Sequence, residues 1–268
     1  MDAVLARSAV NLSQEEPLDD SHSSIVQPVA LALLLAAWPV VLWADSLSEL
    51  RQRLAKFPAR APFAASAKVQ VNAAAQEDTS RAGEGAFEIE SGPNGFIIRV
   101  SPRTLAAADN EAAAKKRDPN APTPTRTAMV ALTVFDIMDS VDAASMLRDD
   151  LSSATLLDEK SATVDGKPST VLRVEVKPSF ATKSRFVSEP KIELKVWVGS
   201  DGIPIAAERV SNFSAGIGFV KGENTRSERW DFAAWGDRIY ATRNDQNEDA
   251  TAAGKHIKSS RTVWYVRR

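Results

Sequence analysis

From Phe63 the chain alternates. Phe63, Ala65, Ala67, Val69 and Val71 interleave with Ala64, Ser66, Lys68, Gln70 and Asn72, the period of two that marks a half-buried strand. Upstream, Leu47, Leu50, Leu54 and Phe57 recur at helical spacing. Ser46 with Glu49 reads as a capping box at the start of that helix, and Pro58 ends it. Downstream, Phe87 and Ile89 alternate with Glu88 and Glu90, Ser91 to Gly95 supply turn chemistry, and Phe96, Ile98 and Val100 resume the alternation. That pattern predicts a β-hairpin.

Between Pro102 and Leu151 the period changes. Leu105 to Ala108 and Ala112 to Lys116 favour helix, while Pro119, Pro122 and Pro124 predict a stiff link. Beyond the link, Val130, Val134, Ile137, Val141 and Ala144 fall on one helical face, so one or two amphipathic helices are expected. Met129, Met138 and Met146 all lie here, suited to filling a core or to repacking around a variable apolar partner.

After this insert the strands return. Asp165-Gly166 predicts a tight turn between Ala162 to Val164 and the alternating run Leu172, Val174, Val176. Ile192, Leu194, Val196 and Val198 form the clearest strand, turned by Gly199 to Gly202 into Ile203 to Ile205. Further strands are expected over Phe213 to Val220, Arg229 to Ala234, Arg238 to Thr242 and His256 to Tyr265, with turns at Lys221 to Asn224 and Trp235 to Asp237. The acidic run Asn244 to Asp249 reads as a solvated loop. The result is a mainly β protein with helices: about nine to eleven strands in a strongly curved antiparallel sheet or half-open β-barrel, with a helical lid. A β-sandwich is the alternative.

Val29 to Ala44 is sixteen residues without a charge, a little short of the roughly 20 that cross a bilayer. With small Ala44 before Asp45 it reads as a cleaved export signal or an N-terminal anchor, although the acidic leader ahead of it is atypical. Residues 1–44 are therefore set apart from a single domain over 45–268 that carries the helical insert 102–151. The expected location is the periplasm, with membrane contact either transient or through the N-terminal segment.

The 268 residues carry 33 basic and 35 acidic side chains and no cysteine. Near-neutral charge offers no field for a polyanion, so nucleic acid is not an expected partner. Without cysteine there is no disulfide, thiol nucleophile or lipid-anchoring thiol. His22 lies in the leader, leaving His256 alone, and no Gly-x-Ser-x-Gly elbow accompanies it. Asp245, Asn247 and Asp249 match the first positions of a calcium loop, but Ala250 and His256 stand where glycine and glutamate belong. Glu88 and Glu90 read as outward strand positions. Trp230, Trp264 and Tyr265, with basic neighbours, read as sheet residues and not as a base-stacking platform. No catalytic residue, cofactor or metal site is predicted.

The helix Leu47 to Leu54 leading into Phe63 to Val71, the strand Gly85 to Ile89 joined through Gly92 to Phe96 to Arg99, and the run Leu194 to Pro204 with its Asp201-Gly202 turn together resemble the outer-membrane lipoprotein carrier family, the LolA-like half-barrel with a helical lid. The resemblance spans most of residues 46–268. Gly92 stands before the turn proline and Val100 after Arg99, where the family has a basic and an aromatic residue, so no arginine lock on the lid is carried over. The resemblance implies a noncatalytic carrier whose sheet receives acyl chains, with a lipid or an acylated protein as partner. The candidate lining is Phe87, Ile89, Phe96, Ile98, Leu172, Val174, Val176, Ile192, Leu194 and Val196, with Val130, Val134, Ile137, Met138 and Val141 on the lid. An envelope protein-interaction module with a fully packed core is the alternative.

Overall fold

The structure, a computed structural model, describes residues 45–75, 81–93, 95–177, 190–217, 220–252 and 255–268. Among them ten strands form one antiparallel sheet: β1 (Phe63–Ala75), β2 (Arg81–Gly92), β3 (Gly95–Val100), β4 (Ala154–Val164), β5 (Lys167–Val176), β6 (Lys191–Gly199), β7 (Pro204–Ile217), β8 (Val220–Trp235), β9 (Arg238–Ala252) and β10 (Lys255–Arg267). Their order is β3-β2-β1-β10-β9-β8-β7-β6-β5-β4. The sheet is open, not closed into a barrel, and β3 and β4 are its edges. The helices among the described residues are α1 (Ser46–Leu54), α2 (Pro102–Arg117), α3 (Pro124–Ala131), α4 (Val134–Val141) and α5 (Ala143–Ser152).

That order explains the insert. The chain leaves one edge at β3 and re-enters at the opposite edge as β4, so the connection has to cross a face of the sheet, and α2 to α5 make the crossing. The covered face is the apolar one: Phe63, Ala65, Ala67, Val69 and Val71 of β1 are buried, in register with Val263 and Tyr265 of β10 and with Phe87 and Ile89 of β2. β-Bulges at Leu156/Asp158, Trp197/Val198 and Asp231/Phe232 bend the long strands locally. On the outer face the strands carry ion pairs such as Lys68–Glu84, Arg268–Glu88 and Arg99–Glu90, the outward placement expected of the two glutamates.

Local chemistry sets the turns. Asp165 and Gly166 adopt φ of 50° and 76°, the left-handed pair that matches the twist of the β4–β5 hairpin. Four expectations are corrected. Asp45, not Ser46, caps α1, accepting from the Leu47 amide at 3.2 Å, while the Ser46 hydroxyl donates to Glu159. Asn244 to Asp249 is not a loop but the middle of β9, where cross-strand pairing from Gly222–Ala252 to Trp230–Asn244 overrides the low strand propensity of its polar side chains. Lys221 to Asn224 likewise lies within β8, and the β7–β8 connection falls at 218–219, outside the described residues. The helix expected ahead of the proline link is α2, and beyond the link the insert contains three helices, α3 to α5, instead of one or two.

One glycine decides how the cover meets the sheet. A Cβ on Gly83 would stand 2.8 Å from the Pro124 carbonyl oxygen and the Ala128 amide nitrogen and 2.9 Å from Thr127 Cβ, so α3 rests directly on the β2 backbone. Gly83→Ala is expected to lower stability by about 1–3 kcal/mol through the backbone shift it forces. Urea denaturation compared with Ala82→Ser, at the exposed neighbouring position, checks this.

Candidate functional site

The predicted lining residues separate into two groups. Phe87, Ile89, Leu172, Val174, Val176, Leu194 and Val196 are buried in one continuous core, and Phe96, Ile98 and Ile192 pack against it part-buried. Opposite them stand Leu47, Leu50 and Leu54 of α1, Ile137 and Val141 of α4, and Met146, Leu147 and Leu151 of α5. The apolar half of the inner face is thus filled by the helices themselves.

The single lid face expected from Val130 to Val141 does not form. Leu132 and Thr133 leave the helix, and a capping box between Thr133 and Asp136 starts α4 afresh, which resets the rotation of every later side chain. Ile137 and Val141 point inward, but Val130, Val134 and Met138 are 83%, 52% and 46% exposed, and Phe135 is 77% exposed. The inward positions between them go to acids. Asp136 and Asp139 face the sheet, so α4 carries apolar side chains on both sides and its charges within.

Asp136 belongs to an ion network that runs along the inner face, and Asp139 lies within the field of the same charges. Asp150 of α5 meets Arg209 of β7 at 3.1 Å, Arg209 meets Glu228 of β8 at 2.7 Å, and Glu228 meets Arg226 at 2.6 Å. Arg226 reaches Asp136 at 3.4 Å, and Asp136 accepts from Arg261 of β10 at 2.7 Å. Arg261 also donates to the Asn244 side chain and to the Ala131 carbonyl at the end of α3. The side chains of Glu228 and Arg261 are only 5% and 7% exposed. Charges this deeply placed are retained only where each finds partners.

The network sets two acids against each other. Burial by itself pushes Asp136 up, but hydrogen bonds from Arg261 and Thr133 and the Arg261 charge outweigh it and bring the carboxyl down to about 2. At Asp139 burial prevails, opposed by Arg209 but reinforced by Asp150 and Glu228, and the carboxyl is pushed up to about 6. Burial likewise raises Asp150.

Beside this network, at the edge of α3, opens a cleft of about 490 Å³. Val71, Ala73, Val130 and Ala131 form its apolar side and Arg126, Gln246 and Glu248 part of its polar side. The Gln246 Oε1 and Arg261 Nε atoms are buried there without a hydrogen-bond partner. The apolar strand residues were legible from alternation; the network was not, because its members are scattered across α4, α5 and three strands. Its one local trace is Asp136 and Asp139 at helical spacing among apolar residues.

The remaining candidates fall elsewhere. Asp245, Asn247 and Asp249 sit at alternate positions of an extended strand; Asp245 pairs with Arg243, and Asp249 with His256 and Lys258. Among the described residues no group of three or more His, Asp or Glu is placed to hold a metal ion, and no helix is long and apolar enough to cross a membrane. Trp230 is buried under Arg209, and Trp264 lies beneath Arg243 on the outer face.

No protein-family model and no curated protein matches the chain. Two solved structures are similar. One is a LolA superfamily protein from Nitrosomonas europaea, at 12% identity over 83% of this chain and 90% of that one, with a TM-score of 0.26. The other is MucB in complex with MucA(peri), at 9% identity over 84% and 93%, with a TM-score of 0.17. The site itself stands on the strand order and contacts given above.

Two substitutions separate the acids. Asp136→Asn leaves buried Arg261 without its counter-charge and is expected to cost about 3–5 kcal/mol. The stability Asp136 supplies is complete above the ordinary value of 3.8 and is lost as pH falls through about 2. Asp139 has the opposite sign: its contribution is present below 3.8 and is lost as pH rises through about 6. Asp139→Asn should therefore stabilise the protein near neutral pH, by about 1–2 kcal/mol once solvent screening is allowed for. It should also flatten the stability profile between those two values, as followed by urea denaturation against pH.

Proposed function

We propose that the protein is a noncatalytic binding or carrier protein of the periplasm whose ligand is a lipid or the acyl chain of a lipoprotein. The observation that carries this reading is α4, apolar toward the sheet through Ile137 and Val141 and apolar toward solvent through Val134, Phe135 and Met138. A fixed surface helix places polar residues outward. A helix apolar on both sides suits a cover that trades its inner contacts for those of a ligand while the other side meets apolar material.

The cleft beside α3 gives such a ligand a point of entry. An acyl chain entering past Val130 and Ala131 would meet Val71 first and then, with α3 and α4 displaced, Phe87 and Ile89. At about 0.8 kcal/mol per buried methylene, a short stretch of one chain offsets the cost of ordering it. Buried Gln246 Oε1 and Arg261 Nε would face the ester or headgroup. The packed core favours a second reading, an envelope interaction module that binds another protein on its surface.

Lipid extraction and native mass spectrometry on the chain purified from an envelope fraction without detergent separate the two. The carrier reading expects bound lipid or acylated peptide in near-stoichiometric amount. It also expects that Ala73→Trp or Ser259→Trp, adjacent partners on β1 and β10 that line the cleft, strongly reduces it while the circular dichroism spectrum is kept. A lipid-free mass that does not change on incubation with lipids would sink the carrier reading and leave the interaction module.

A further inference from the structure

Four large apolar side chains within nine residues face water: Val130 at the end of α3, and Val134, Phe135 and Met138 on α4. Scattered exposed apolar residues are ordinary, but a cluster on two consecutive helices marks a contact surface. The acids of α4 do not dilute it, because Asp136 is held by Arg261 and Arg226 on the opposite side and Asp139 is turned toward Arg209. The outward surface of α4 is left without a carboxylate.

Cations lie on the helices that precede this patch in the cover. α2 has no buried residue, so nothing in the core explains its sixteen residues. It is fastened to α3 through Glu111, whose carboxylate accepts from the Thr125 and Arg126 amides at 2.9 and 3.0 Å. Its last turn presents Lys115, Lys116 and Arg117. Arg126 lies one helical turn before Val130 on α3, and the three cations of α2 stand at the end of the helix that leads into α3, so the four form a basic rim on the same helical cover; none of them forms a salt bridge with a described carboxylate. Protein interfaces are depleted in lysine. Exposed Phe and Met beside flexible Lys and Arg instead match the boundary of an anionic bilayer, where rings enter the acyl region and cations meet phosphates.

We propose that the outer face of the helical cover, Val130, Val134, Phe135 and Met138 with the rim Lys115, Lys116, Arg117 and Arg126, docks on an anionic membrane surface. Docking here places the mouth of the α3 cleft against lipid, yet it does not depend on the cleft's holding any.

The absence of cysteine makes the test direct. Phe135→Cys in the full chain carries one polarity-sensitive fluorophore that reports the cover's own surroundings, whatever else holds the chain to a vesicle. Its emission is expected to shift to the blue and brighten with vesicles containing phosphatidylglycerol, and to change little with phosphatidylcholine alone. The same label at Lys68→Cys, on the outer face of the sheet, should stay water-like. Adding Lys115→Glu should weaken the vesicle response by about fivefold, and Lys116→Glu by a similar factor again. An unchanged emission at position 135, an equal response at position 68, or indifference to the charge reversals overturns the proposal. A shift at 135 that appears with envelope proteins but not with vesicles also overturns it and assigns the face to a protein partner.

Discussion

The helical cover is held by arginines that satisfy the carbonyl ends of all its helices but α2. A helix leaves its last carbonyls without partners, and a glycine in the left-handed conformation is the common remedy. None of these helices uses one: the C-cap residues are Ala55, Asp118, Leu132, Asp142 and Ser153. Instead Arg51 of α1 donates to the Leu151 carbonyl of α5, and Arg148 of α5 returns the contact to the Leu54 carbonyl of α1. Arg261 of β10 closes α3 at Ala131, and Arg238 of β9, 1% exposed, closes α4 at Val141 while also holding the Ala59 and Ala61 carbonyls. A guanidinium has enough donors for several carbonyls at once, and its charge suits the negative end of the helix dipole.

This constraint accounts for the inverted character of α4. With its end fixed on Arg238 and its first turn on Arg261, α4 can bury only one narrow stripe, Ile137 and Val141. The arginines that receive it on the sheet demand carboxylates, so Asp136 and Asp139 turn in and Phe135 and Met138 turn out. Polar attachment of this kind is costly where one partner is lost. A cover attached through charges and lined with apolar groups on both sides is the physical basis for reading the protein as a binder of apolar ligands.

Much of the sheet could be read from the chain. Alternation from Phe63 to Val71, the hairpin around Gly92, and the Asp165-Gly166 turn are local facts, since side-chain period and turn residues are fixed by neighbours in sequence. The polar stretch Asn244 to Asp249 was misread for the complementary reason. Its extension is imposed by pairing to β8 and β10, and those partners outweigh its own preference. The lid face failed at Leu132 and Thr133, where two non-helical residues separate Val130 from the residues that follow and break the phase that a continuous helix would have kept.

Which residues are apolar at which period is fixed along the chain, and with it the alternating strands, the inner face of the sheet and the presence of a helical insert. Tertiary structure alone decided that the insert joins the two edges of an open sheet and must therefore cross its inner face. It also decided that Asp136, Asp150, Arg209, Arg226, Glu228 and Arg261 meet in one network. Hydrophobic periodicity is a property of residues a few positions apart, whereas the network joins charges separated by up to 125 positions. Only the folded chain brings such charges within a few ångströms, and only there does excluding water make their pairing decisive.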